Sequence, residues 1–197
     1  MNRYITLQTP HGSLHGHLEL PENPRGLILI VRAHHAAGDM AISSCFAEFG
    51  FATLTMELLT ANEMQFADAT QNVPRLTQRL IDVLDMTRND GDMEALPLAI
   101  FTSGDVAPAA IRAAAQRDTL VKAVACHGGL IDRAGAQALD LQVAPLLMLF
   151  DGQDLIGKTA YQRATSHLGC VHAMHALDIG EDPAEPAATW FLGQISG

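Results

Sequence analysis

Apolar and polar residues alternate from Tyr4 to Thr9 and again from Ser13 to Leu20, with Pro10-His11-Gly12 between them. Period-two alternation interrupted by a turn predicts a hairpin with one face toward a core and one toward water. On the second run, His15 and His17 share the face opposite Leu14, Leu18 and Leu20, where solvent is expected. After Pro21-Glu22-Asn23-Pro24 the pattern changes. Gly26 to Val31 is apolar throughout, which suits a strand covered on both faces. Phe51 to Leu58, Leu96 to Thr102, Val121 to Ala125, Pro145 to Phe150 and Cys170 to Ile179 read as further strands.

Helical periodicity fills the spaces between these runs. Met40 to Phe49 is expected as a helix capped by Asp39 and ended at Gly50. From Val73 to Asn89 the apolar positions 73, 76, 80, 83 and 84 mark one helical face, with Pro74 harmless in the first turn. Val106 to Arg117, residues 156–168 and Ala184 to Ile195 complete the helices, while Leu59 to Asn72 has no regular pattern. Strands alternating with helices after a hairpin predict one α/β domain over residues 1–197, its twisted sheet mainly parallel and helices on both faces. In such sheets ligands bind beyond the carboxyl ends of the strands. The loops at 32–39, 57–72, 102–106, 126–130, 151–156 and 175–183 are therefore the region to search.

Composition narrows the function classes. The 197 residues carry a formal net charge of −10, which argues against nucleic acid and anionic membranes as partners. Cys45, Cys126 and Cys170 form neither a disulfide framework nor a zinc ribbon. The start lacks a signal-peptide core and no run reaches membrane-spanning length, so a cytoplasmic protein is expected, as a monomer or a homodimer.

The candidate chemistry centres on Leu96 to Ala115, LPLAIFTSGDVAPAAIRAAA, an apolar strand turning tightly into an alanine-rich helix. Gly104 permits the reversal and Asp105 is expected to cap the helix. Ser103 is a nucleophile candidate if a base lies within reach, and His127 and His175 are the candidates for that base. Cys126 and His127 are adjacent on a strand, so they point to opposite faces and do not pair. His34 or His35, Asp105, His127 and Asp154 also fall at one end of the sheet. None shows a recognised ligand spacing, so neither a metal nor a cofactor is expected.

GLILIVRAHHAAGD, EFGFATLTMELLT, LPLAIFTSGDVAPAA and APLLMLFDGQD together resemble segments of small dienelactone-hydrolase-like proteins of the α/β-hydrolase fold. The resemblance spans nearly the whole chain. It implies an oxyanion loop at His34 and His35, an acidic residue near the site entrance at Glu57, a nucleophile elbow at 102–106 and the triad acid at Asp154. Gly104 stands where the family has its nucleophile. The chain has Leu-Asp-Ile-Gly-Glu-Asp-Pro where the family has Gly-x-x-His. The expectation is a protein with a degenerate triad that binds a small molecule or a partner through His34, His35, Glu57, Gly104 and Asp105. The alternative is an ester, lactone or thioester hydrolase using Ser103, His127 or His175, and Asp154.

Overall fold

The computed structural model of the chain describes residues 1–195. The N-terminal hairpin forms as β1 (Asn2–Thr9) and β2 (Gly12–Glu19), antiparallel, with Asn2 opposite Glu19. The later strands are β3 (Leu27–Arg32), β4 (Ala52–Glu57), β5 (Leu98–Ser103), β6 (Val121–His127), β7 (Leu146–Phe150) and β8 (His172–Ala176). They join in one sheet of order β1-β2-β4-β3-β5-β6-β7-β8. β2 meets β4 antiparallel, and every pairing from β4 onward is parallel.

The continuous apolar runs are explained by two cores, one on each side of the sheet. Leu29, Val31, Ile100, Val124 and Met148 point to one side. There they meet helices α2 (Val73–Arg88), α3 (Ala107–Gln116), α4 (Ala136–Leu141) and α5 (Leu155–Ala164). Ile28, Ile30, Phe101, Ala125 and Leu149 point to the other side, under α1 (Asp39–Glu48) and α6 (Ala184–Ile195). On that side Phe46 packs edge-on to Phe101 at 5.3 Å between centroids and against Phe191 at 6.0 Å. A strand buried on both faces has no polar position to spare, which is why alternation disappears after the hairpin.

The chain leaves β3 through α1 to reach β4 on one side, and later through α2 to reach β5 on the other. The strand order therefore reverses between β3 and β5, and a crevice opens beyond their carboxyl ends. Arg32 ends β3 and Ser103 ends β5.

Two expected caps are used differently. Asp39 is the first residue of α1 rather than its cap. Its buried carboxylate instead accepts from Ala36 N–H at 2.8 Å and from Arg32 Nε at 2.7 Å. Asp105 does not cap α3, because a 3-10 turn over Gly104–Val106 intervenes and Val106 takes the cap position without a side-chain bond. Strand β8 is shorter than its apolar run suggests, and α5 stops at Ala164. Residues 59–72 fold as two 3-10 turns, Glu63–Gln65 and Ala69–Gln71. Glu63 fastens the first by accepting from Thr60 N–H and pairing with buried Arg79, whose Nη1 also reaches Leu58 O at 2.7 Å. No helix among the described residues is long and apolar enough to cross a membrane.

Candidate functional site

The turn after β5 holds Gly104 at φ +57°, in the left-handed region. A Cβ built there would meet no atom within 4 Å, so the position faces open space. Its neighbour after β6 is the opposite case. Gly129, at φ +98°, lies so close that a Cβ would stand 2.5 Å from both Ala107 Cβ and Gly104 O. The elbow is thus clamped from behind and open in front, with no side chain at its apex.

Ser103 is half-buried and accepts a hydrogen bond from Arg32 Nη1 at 2.5 Å. Arg32 is itself buried, 7% exposed, and lies over the Phe101 ring at 5.6 Å. Asp39 balances its charge. Activating a serine takes a group that removes its proton, and a guanidinium is a permanently charged donor with no acceptor site. The Arg32 contact therefore holds Ser103 in place but takes no proton from it.

Both candidate imidazoles contact carboxylates. His127 is the register partner of Ser103 across β5 and β6, and its Nε2 lies 3.0 Å from Asp151 Oδ1. His175 lies on β8, three strands from β5, roughly 14 Å away at usual strand spacing. Its Nε2 is 3.0 Å from Glu181 Oε1. The Asp178 backbone N–H, and then His175, hold the Glu181 carboxyl below its ordinary value. Asp154 caps α5, accepting from Gly157 N–H at 2.8 Å. Cys126 is fully buried, and desolvation pushes its thiol up to about 12, which keeps it protonated and inert.

Two adjoining cavities lie over the crevice. One, of about 240 Å³, is walled by Gly104, Asp105, Gly129, Arg133 and Asp154. The other, of about 270 Å³, is walled by Arg32, His34, Asp39, Ser103 and Asp105. Thr70 and Asp105 line both. Gln71 spans the first, donating to Asp105 Oδ2 at 3.3 Å and accepting from Arg133 Nη1 at 2.7 Å. His35 and Glu57 do not join this cleft. They line a separate groove of about 400 Å³ between the hairpin and α1. Among the described residues, no three His, Cys, Asp or Glu side chains form a metal-holding group.

Sequence reasoning took Asp39 only for a helix cap and passed over Arg32, Asp151, Glu181, Gln71 and Arg133. Arg32 carried a faint signal, as a charge closing a strand otherwise entirely apolar. The rest depend on loops meeting in space.

No family model matches the chain. Two relatives in Mycobacterium tuberculosis, from strains CDC 1551 and H37Rv, are each named "Putative phosphoribosyl transferase". Each is 31% identical over 196 residues, covering 92% of this chain and 44% of its own length, so the chain spans about half the length of the curated relatives it matches. Among solved structures, a dienelactone hydrolase from Anabaena variabilis superposes with a TM-score of 0.84 at 25% identity, covering 98% of both chains. Est1E from Butyrivibrio proteoclasticus gives a TM-score of 0.78 at 12% identity over 98% of this chain and 99% of that one. A predicted CIB-like hydrolase from Thermoplasma acidophilum gives 0.71 at 8%, again over 98% and 99%. At those lower identities the likeness is one of fold.

Proposed function

We propose that the chain, which has an α/β-hydrolase fold similar to that of a dienelactone hydrolase, keeps that fold's cleft for a small molecule but performs no serine hydrolysis there. The observation that carries this reading is the elbow. Its apex is Gly104, open to the cleft, and the neighbouring Ser103 is bonded to a guanidinium. A bound molecule would occupy the space over Gly104, among Asp105, Asp154, Thr70 and Arg133. Asp105 adds a fixed negative charge where acyl transfer develops an oxyanion, which opposes that chemistry. The phosphoribosyl-transferase name belongs to chains matched over only 44% of their length.

A second reading draws on one relationship. Ser103 and His127 are register partners, and His127 contacts Asp151. An ester, lactone or thioester hydrolase built on them would use Asp151, not Asp154, to orient His127, with no part for His175. The two readings separate on turnover of p-nitrophenyl acetate by the purified protein. The binding reading expects no release above buffer. Release that disappears in Ser103→Ala overturns it.

A further inference from the structure

The groove between the hairpin and α1 lies outside the cleft, with Asp39 as the wall between them. At about 400 Å³ it is roomier than either cleft cavity. Tyr4 and Met40, 88% and 78% exposed, give it an apolar rim, and the Tyr4 and His17 rings stand 5.2 Å apart beside it. Its floor is polar. Glu19 is engaged, accepting from Ser43 Oγ at 3.3 Å and lying 3.6 Å from His17 Nδ1. Asp39 is engaged by Arg32.

Glu57 differs from both. It is half-buried at the end of β4, lines the groove, and among the described residues makes no side-chain hydrogen bond or ion pair. Arg32 is its register partner on β3, but the guanidinium turns to Asp39 and Ser103 instead. No lysine or arginine among the described residues lines the groove. A partly desolvated carboxylate without a donor favours a cation that brings its own hydrogen bonds. The aromatic and thioether rim favours an apolar or aromatic body on that cation.

We propose that this groove is a second ligand site, taking a small organic ammonium ion whose charged end meets Glu57 and whose ring packs against Tyr4. The site is independent of the elbow and of whether the cleft hydrolyses anything. Its test is a titration of the folded protein with tyramine, followed by ¹H–¹⁵N spectra, beside 4-ethylphenol, the neutral analogue that lacks the ammonium group. Saturable shifts confined to the hairpin, residues 35–43 and Glu57 are expected for tyramine and absent for 4-ethylphenol. Glu57→Gln should weaken tyramine binding by roughly tenfold, the loss of a charge-assisted hydrogen bond. Tyr4→Ala, at a highly exposed position, provides a second variant that leaves the fold intact and should weaken it too. Equal binding of the two compounds, undiminished binding in both variants, shifts centred on Gly104, or no saturable shift at millimolar tyramine would each overturn the proposal.

Discussion

Arg32 Nη1 donates to Ser103 Oγ at 2.5 Å across the junction of β3 and β5, although 71 residues separate them. With Asp39 on the other edge of the guanidinium, this links the loop after β3 to the elbow. The contact decides how the cleft is read, because it gives the serine beside the elbow a structural partner. Ser103→Ala removes one charge-assisted hydrogen bond and should cost about 1–2 kcal/mol in urea denaturation.

Asp39→Ala should cost more. It leaves a buried guanidinium without its counter-charge, an expected loss of about 3–5 kcal/mol. Replacing both partners, as Arg32→Met with Asp39→Leu, should recover most of that loss, since no uncompensated charge remains. A double-mutant cycle by chemical denaturation checks both statements.

Gly104 and Gly129 both have positive φ but should respond differently to alanine. At Gly104 a Cβ meets open space, so only backbone strain opposes it, about 1–2 kcal/mol. At Gly129 the same atom would stand 2.5 Å from Ala107 Cβ and Gly104 O, adding overpacking of about 1–3 kcal/mol to the strain. Thermal denaturation should rank Gly129→Ala well below Gly104→Ala.

Glu63 sets an acid limit on the loop beneath the cleft. The hydrogen bond from Arg79 is the largest cause holding its carboxyl at about 2, against an ordinary 4.5. A folded value below the unfolded one stabilises the fold above the unfolded value and is lost as pH falls through the folded value. Glu63→Gln should therefore destabilise by about 2–3 kcal/mol at neutral pH. The gap from the unchanged protein should close as pH drops from about 4.5 to about 2, followed by urea melts across that range.

The strands of the parallel sheet were legible because Leu27 to Arg32, Leu98 to Ser103 and Leu146 to Phe150 are apolar almost without interruption. The elbow was legible from Gly104 between a strand and an alanine-rich helix. The fate of the polar residues was not. Asp39 and Asp105 each precede a helical pattern, and spacing alone makes both look like caps. A buried arginine claimed the first, and a 3-10 turn displaced the second. Asp151 and Asp154 sit three residues apart, and only the fold shows that the nearer one meets His127 while the other caps α5. His35 and Glu57 followed the family pattern toward the cleft, yet α1 and the hairpin place them in a different groove.

The proposed binding role requires that no activated nucleophile stand at the elbow. Incubation with a fluorophosphonate, with the adduct mapped by mass spectrometry, tests it most directly. No adduct on Ser103 is expected under conditions that fully label an ordinary serine esterase. A stoichiometric adduct on Ser103, lost in His127→Ala, would contradict it.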